Sequence, residues 1–200
     1  MLSPDEQPAL GLRERKKART RAAIQRHALR LFREQGYDAT TVSQIAEAAE
    51  VSESTFFRYF PSKEDVALWD EFDPMFLAVL AAQPPEVGPI AAMRAAAREV
   101  FGQLSQAEVA EVQQRIALVL SVPELRAASL DQIGPTMRLF ARGVAERTGR
   151  PPDDVAVLTL VGAVFGVLMA AMFAAADTPD ADLFGLMDRA LAQLEAGLPL

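Results

Sequence analysis

Residues 51–66, VSESTFFRYFPSKEDV, place hydroxyl groups, cations and aromatic rings within one short segment. Hydroxyl and cationic side chains bind phosphates, and aromatic side chains need a surface on which to pack. Phe56 and Phe60 are four residues apart, so one face of a short helix buries both. Phe57 and Tyr59 then point away from that face. The pattern predicts a surface for binding nucleic acid; the alternative is an ordinary solvated helix.

Bond-breaking chemistry finds little support in the rest of the chain. The sequence has no cysteine and one histidine, His27. Disulfides, thiolate metal sites and a cysteine nucleophile are therefore excluded. No set of nucleophile, base and orienting residue, no metal-ligand spacing and no glycine-rich phosphate loop is evident. We expect a protein that is not an enzyme and that uses no metal or cofactor.

Charge is distributed unevenly along the 200 residues, which carry a formal net charge of −7. Residues 13–34 hold nine Lys and Arg against two Glu, whereas residues 67–200 hold nine Lys and Arg against 17 Asp and Glu. Attraction to phosphates depends on the local patch rather than on the total. The basic segment predicts either a solvated helix or a DNA-facing one, whose candidate phosphate ligands are Arg15, Lys16, Lys17 and Arg19.

Helical periodicity predicts the elements that position these residues. The N-terminal part reads as a helix over 13–35 ended by Gly36, a short helix capped by Thr41, a helix over 53–59 capped by Ser52, and one from Lys63 to about Leu80. Proline and glycine then delimit further helices at 89–104, 107–121, 123–148, 152–176 and 180–196, with a kink or break at Gly134-Pro135. No strand alternation is seen, so the predicted fold class is all-α.

A basic helix followed by two short helices across a tight turn is the plan of a helix-turn-helix domain. In that plan the second short helix enters the major groove. Phe56 and Phe60 then anchor it to the core, while its other face meets DNA. The residues expected on that face are Ser52, Ser54, Thr55, Phe57, Arg58 and Tyr59.

The C-terminal part is rich in bulky apolar residues at helical spacing, which fits a packed core or an apolar ligand pocket. The candidate pocket residues are Trp69, Phe72, Phe76, Met93, Phe101, Met137, Phe140, Phe165 and Met169. Residues 155–176 carry no charge, so their length and apolarity also fit a membrane span. Their acidic flanks favour burial in a dimer seam with helix 180–196 instead. The candidate dimer residues are Val161, Phe165, Leu168, Met172, Leu183, Met187 and Leu194.

The segments LFREQGYDATTV, IAEAAEVS and STFFRYFPSKEDV together resemble the DNA-binding domain of the tetracycline-repressor (TetR) family. The resemblance implies an all-helical homodimer with an N-terminal DNA-binding domain and a larger domain for effector binding and dimerisation. It assigns phosphate contacts to Thr41, Phe57, Tyr59 and Lys63, and base reading to Ser52, Glu53, Ser54 and Arg58. Glu50 stands where the family usually has a turn glycine, and a left-handed backbone there costs about 1 kcal/mol.

Two further segments, FFRYFPSKEDVALWDEFDP and LSVPELRAASL, are similar to the subgroup that includes the mycofactocin-system regulator. That resemblance implies an acyl-CoA-like ligand. We expect a tail at 1–12, a helix-turn-helix domain at 13–66 and a ligand-binding and dimerisation domain at 67–200. The expected function is a cytoplasmic repressor that binds a pseudo-palindromic double-stranded DNA operator without membrane attachment, and is released by an apolar small molecule. The alternatives are a membrane-anchored or an effector-independent DNA-binding protein.

Overall fold

The computed structural model describes residues 12–70, 72–176, 178 and 181–199, and these residues form helices and their connections. The all-α prediction is confirmed. The predicted tail at 1–12 lies outside the described residues except for Leu12, which begins the first helix. The ten helices are α1 (Leu12–Gln35), α2 (Val42–Ala48), α3 (Glu53–Tyr59), α4 (Lys63–Leu68), α5 (Phe72–Ala82), α6 (Pro89–Phe101), α7 (Gln106–Ser121), α8 (Pro123–Thr148), α9 (Val155–Ala176) and α10 (Leu183–Glu195).

The chain divides into two compact units between Trp69 and Asp70. We call residues up to Trp69 the N-terminal unit and residues from Asp70 onward the C-terminal unit. The division falls three residues after the predicted domain boundary at residue 66. Each unit has its own buried apolar side chains and is described separately.

The four helices of the N-terminal unit surround a small aromatic core. Its buried side chains include Ile24, Ala28, Phe32, Ile45, Phe56, Phe60 and Val66. Three of them recur at four-residue intervals on α1, so that helix presents one apolar stripe to the others. Gly36 has φ of 89° and its N–H donates to the carbonyl of Phe32 at 3.0 Å. This left-handed residue ends α1, as the sequence predicted.

The single helix predicted from Lys63 to Leu80 is wrong, because the structure has two helices there. α4 ends at Leu68, and its C-cap residue Trp69 has an extended backbone with φ of −61° and ψ of 127°. The side-chain amide of Gln25 donates to the carbonyl oxygens of Val66 and Trp69 at 3.0 and 2.8 Å. These bonds satisfy two carbonyl oxygens that would accept from backbone N–H groups if the helix continued.

A separate helix then begins at Phe72, whose N–H donates to the Asp70 carboxylate at 2.8 Å. Pro74 lies in the first turn of α5, where the missing N–H has no cost. Inside one continuous helix, the same proline would have removed a hydrogen bond to the Asp70 carbonyl. Pro74 was therefore the available signal for the break.

The six helices of the C-terminal unit enclose an apolar core. It contains Leu80, Ala92, Met93, Ala96, Phe140, Ala141, Val144, Val157, Val161, Val164 and Leu191. α8 is continuous from Pro123 to Thr148 and passes through Pro135, so the predicted position carries no break. α9 begins at Val155 rather than residue 152, and α10 begins at Leu183 after the N-cap Asp182.

Candidate nucleic-acid interface and ligand cavity

Side-chain caps fix the helix-turn-helix segment. Thr41 Oγ1 accepts from the N–H of Gln44 at 3.2 Å, and Gln44 Oε1 accepts from the N–H of Thr41 at 2.9 Å. Ser52 Oγ accepts from the N–H of Thr55 at 3.1 Å and starts α3. Between them Glu50 has φ of 54°, so the turn is left-handed where a non-glycine residue stands. The predicted caps are confirmed, and Glu50 has the left-handed backbone on which the expected cost of about 1 kcal/mol depends.

Two buried rings hold α3 against the N-terminal unit. Phe56 and Phe60 are buried, with ring centroids 6.1 Å apart. Trp69 packs on Phe60 with 6.0 Å between centroids. One face of the seven-residue helix is therefore packed against the N-terminal unit, and the opposite face points away from this core.

The outward face of α3 carries a ring, a cation and hydroxyls. Phe57 is 51% exposed and Arg58 is exposed. Tyr59 is half-buried, and the guanidinium of Arg58 lies 5.4 Å from its ring centroid. Glu53 and Ser54 are also exposed on the first turn. This surface offers groups that bind phosphates and groups that bind base edges.

The basic side chains of α1 fall into two groups. Lys16, Lys17 and Arg19 are exposed, as phosphate ligands must be, while the side chain of Arg15 lies outside the described part. Arg21 instead turns inward. Its Nη2 donates to the carbonyl of Tyr59 at 2.9 Å, and its guanidinium lies 5.3 Å from the ring of Phe60. It therefore supports the C-terminal end of α3.

Lys63 has a structural role that sequence reasoning missed. Its Nζ donates to the carbonyls of Tyr37 and Thr40 at 2.8 and 3.1 Å and lies 4.0 Å from the ring centroid of Tyr37. The resemblance had assigned this ammonium, and the hydroxyl of Thr41, to phosphates. In the structure Lys63 holds the connection between α1 and α2 through those two carbonyls, whereas the hydroxyl of Thr41 caps α2 by accepting from the N–H of Gln44.

A cavity of about 420 Å³ lies within the C-terminal unit. Five predicted pocket residues line it: Phe72, Phe76, Met93, Phe101 and Phe140. Four others do not. Trp69 belongs to the N-terminal unit, Met137 and Phe165 pack against the apolar core of the C-terminal unit, and Met169 is half-buried on α9. Sequence reasoning missed the contribution of α10, namely Phe184, Met187, Asp188 and Leu191, and the acidic pair Asp70 and Asp73.

Ion pairs surround one side of this cavity. Arg98 Nη2 lies 2.8 Å from Asp188 Oδ2, and Arg94 pairs with both Asp188 and Glu195. Hydrogen bonds from Arg98, aided by Arg94, hold the pKa of Asp188 below its usual range. Burial raises the pKa of Asp73 to about 6, and the neighbouring charge of Asp70 acts in the same direction. The cavity wall is therefore apolar with a few defined charges.

α9 presents two different faces. Val157, Val161 and Val164 are buried, and Val161 is only 1% exposed. The opposite face is exposed and small or apolar, consisting of Val155, Thr159, Gly166, Ala170 and Phe173. Among the described helices, α9 alone is long and apolar enough to cross a membrane, by length and composition.

The structure corrects two of the seven predicted dimer residues, which are buried within one chain, and leaves the other five half-buried. Val161 and Leu183 are buried in one chain, while Leu168 and Met187 line the cavity. Phe165 packs on Phe140 with 5.5 Å between centroids. Met172 lines a smaller cavity, and Leu194 packs on the core. The reason is that α9 is apolar all round, so periodicity did not distinguish its faces.

Comparison with known proteins relates both units to bacterial regulators. Residues 24–68 match the family described as bacterial regulatory proteins, tetR family, and residues 87–199 match the MftR C-terminal domain. The transcriptional regulator TcmR of Streptomyces glaucescens is 42% identical over 168 residues, which cover 77% of this chain and 74% of TcmR. The transcriptional repressor KstR of Rhodococcus jostii is 30% identical over 142 residues, 65% of this chain and 61% of KstR.

A solved structure extends the similarity over nearly the whole chain. It is Thermus thermophilus FadR, a TetR-family repressor in complex with lauroyl-CoA. It aligns with a TM-score of 0.54 and 26% identity, covering 90% of this chain and 95% of FadR. The helix order of both units is thus shared with a regulator of known structure.

Proposed function

The chain belongs to the TetR family of bacterial regulatory proteins, and from this premise we propose that it is a homodimeric repressor released from DNA by a small molecule. It is a DNA-binding transcriptional regulator, and the proteins it matches are regulators rather than enzymes. Repression, the dimer, the effector and action in the cytoplasm are the parts that we propose. The names of KstR and FadR as repressors support the first of these.

The exposed face of α3 carries the proposal. Phe56 and Phe60 fix the opposite face, so Arg58 and Phe57 project outward from a rigid support. Arg58 is the residue best suited to a guanine edge or a phosphate, because guanidinium forms paired hydrogen bonds with either. The exposed cations Lys16, Lys17 and Arg19 add sequence-independent attraction to the backbone.

The outward face of α9 supports the proposed dimer. A stripe of small and apolar side chains from Val155 to Phe173 is left exposed in a single chain. A second copy of the same stripe is self-complementary about a two-fold axis, and small residues allow close approach of the two helices. Two recognition helices on such a dimer fit a pseudo-palindromic operator.

Release requires that an effector bind two states of the protein with different affinity, typically by about 1–3 kcal/mol. The cavity supports this step because it is apolar and within the size range of small-molecule sites, about 300–1,000 Å³. Because α4 and α5 are separate helices, no continuous helix carries a change from the cavity to the N-terminal unit. In this proposal the effector acts instead on Asp70 and Phe72, which line the cavity at the start of the C-terminal unit.

A membrane-anchored regulator is the second candidate, because α9 is long and apolar and much of it is exposed. Cell fractionation distinguishes the two. We expect the protein in the soluble fraction without detergent, and recovery only from membranes favours the second candidate.

A mobility-shift assay on the promoter of the protein's own gene tests the proposal. We expect the wild type to retard this DNA at low salt. Arg58→Ala weakens binding by about tenfold or more, because one good side-chain contact to a base contributes about 1–3 kcal/mol. The matched control is Arg126→Ala, an exposed arginine on α8, which leaves binding unchanged. Absence of a shift at low salt contradicts the proposal.

A further inference from the structure

Five aromatic rings line the cavity of the C-terminal unit: Phe72, Phe76, Phe101, Phe140 and Phe184. They form contacts with one another. Phe101 stacks on Phe184 with 4.5 Å between centroids, and Phe76 lies 5.4 Å from Phe140. The face of an aromatic ring carries negative electrostatic potential and attracts cations. A cavity lined by such rings therefore accommodates the apolar part of a ligand and favours a positive charge on that ligand.

The charges at the wall are balanced with one exception among the described residues. At the wall, Arg98 is paired with Asp188, and behind it Arg94, which does not line the cavity, pairs with both Asp188 and Glu195. Asp70 is paired with Arg115, whose Nη2 lies 2.9 Å from Asp70 Oδ2. Asp73 forms no ion pair with a described residue.

Asp73 lies on the first turn of α5 and is half-buried at the cavity. The charged groups around it are Asp70 on its own side of the cavity, Arg115 on α7, Arg98 on α6 and Asp188 on α10. Burial and the charge of Asp70 raise its pKa to about 6, and the charge of Arg115 acts in the opposite direction. At neutral pH the carboxylate is therefore mainly ionised but poorly solvated, and a cation beside it is favoured.

We propose, building on the effector-released repressor above, that this cavity selects an organic cation, with the ammonium beside Asp73 and an aromatic or alkyl body among the phenylalanine rings. An anionic acyl carrier is disfavoured at this wall. The one arginine that lines the cavity, among the described residues, is Arg98, and Asp188 already neutralises it.

Three probes with one naphthylbutyl body test the charge preference. They end in trimethylammonium, a neutral alcohol or a carboxylate, and their binding to the full-length protein is followed by naphthyl fluorescence. We expect the ammonium probe to bind about tenfold more tightly than the carboxylate probe. Asp73→Asn lowers affinity for the ammonium probe by about tenfold and changes affinity for the alcohol by less than about twofold. The control Asp131→Asn, at an exposed position of α8, changes neither.

Two further measurements identify Asp73 as the counter-ion. Lowering the pH from 7 to 5 reduces the preference of the wild type for the ammonium probe over the alcohol, neither of which titrates in this range, because Asp73 takes up a proton near pH 6, and leaves Asp73→Asn unaffected. Asp73→Glu retains the charge and keeps the preference, which also guards against misfolding of the Asn variant. Equal or tighter binding of the carboxylate probe overturns the proposal, as does a preference that survives Asp73→Asn.

The probe titrations need no DNA, so the two proposals fail separately. A protein that never retards its promoter contradicts the repressor, while its probe preference still decides the charge of the ligand. If the carboxylate or the alcohol probe releases the protein from DNA and the ammonium probe does not, the repressor proposal stands and the proposal of a cationic ligand is overturned.

Discussion

At the turn between α2 and α3, Glu50 holds a left-handed backbone with φ of 54°. The L side chain costs about 1 kcal/mol in this conformation. The conformation is held on both sides of Glu50, because the N–H of Val51 donates to the carbonyl of Ala46 at 2.9 Å and Ser52 caps the start of α3. The residue is exposed, so its side chain recovers nothing through burial.

Glu50→Gly is expected to stabilise the N-terminal unit by about 0.5 kcal/mol. The relief of about 1 kcal/mol is partly offset by the greater freedom of glycine in the unfolded chain. Urea unfolding measures the difference. Glu47→Gly is the control, because it lies inside α2 with helical backbone and loses about 1 kcal/mol. If both variants are destabilised equally, the strain at Glu50 is not present in solution.

Asp73 predicts a pH-dependent stability. Its folded pKa of about 6 lies above the ordinary value of 3.8, so the stability that it contributes is present below about pH 4 and lost as the pH rises through 6. Asp73→Asn is therefore expected to be more stable than the wild type at pH 7.5, by about 1 kcal/mol after allowance for partial exposure. The gain should vanish at pH 4. Thermal unfolding across this range measures it, and a gain independent of pH contradicts the assignment.

The residue roles differ in how far the sequence predicts them. Phe56, Phe60 and the caps follow from spacing of four and three residues, which a helix enforces locally. Arg21 and Lys63 do not, because their partners are backbone carbonyls 38 and 26 or 23 residues away. From sequence alone, a cation in a basic or DNA-binding segment is interpreted as a phosphate ligand. Only the fold shows that distant backbone carbonyls are its partners.

At the scale of elements, the C-terminal end of α4 is held by the side-chain amide of one residue on another helix. Gln25 is buried and donates to two carbonyls, those of Val66 and Trp69. This contact comes from α1, so nothing in the local sequence marks Leu68 as the last residue of α4, although Pro74 marks a break a few residues later. The predicted continuous helix therefore failed at the point where a long-range hydrogen bond replaces a helical one.

Gln25→Leu is expected to destabilise the N-terminal unit by about 1–3 kcal/mol, because two carbonyls lose their partner in a buried place. Chemical unfolding of the full chain measures the change. Gln103→Leu, at an exposed glutamine between α6 and α7, serves as the control and should stay within about 0.5 kcal/mol of the wild type. A Gln25 variant as stable as the control shows that water replaces the amide.

Gly166→Arg on the outward face of α9 tests the dimer. A Cβ added at Gly166 meets nothing within 4 Å, so one chain accommodates the substitution. We expect a folded monomer, because two arginines facing each other across a close helix contact repel and clash. Light scattering coupled to size exclusion measures the mass. Ala127→Arg, exposed on α8, should remain a dimer. A dimeric Gly166 variant locates the interface elsewhere.

Over the whole molecule, the two units carry net charges of opposite sign. The basic residues 13–34 belong to the N-terminal unit and the excess of acidic residues to the C-terminal unit. An acidic unit repels DNA, so non-specific binding is confined to the basic unit. The all-α class and most helix bounds were predictable, because prolines, glycines and caps mark them. The outward face of α9 was not predictable, since all its sides are apolar.

Binding to the promoter should fall steeply with salt, because each phosphate contact releases counterions. Lys17→Ala is expected to reduce the slope of log K against log salt by about 0.9 if this lysine contacts one phosphate. Fluorescence anisotropy at several salt concentrations measures the slope. Arg142→Ala, exposed on α8, should leave the slope unchanged. Equal slopes for both variants remove Lys17 from the interface.

Asp70 combines three positions in one residue. It accepts the first N–H of α5, it forms part of the cavity wall, and it follows Trp69, the last residue of the N-terminal unit. The covalent joint between the two units thus also forms part of the cavity wall. If the proposed effector displaces this carboxylate, the change begins one peptide bond away from Trp69.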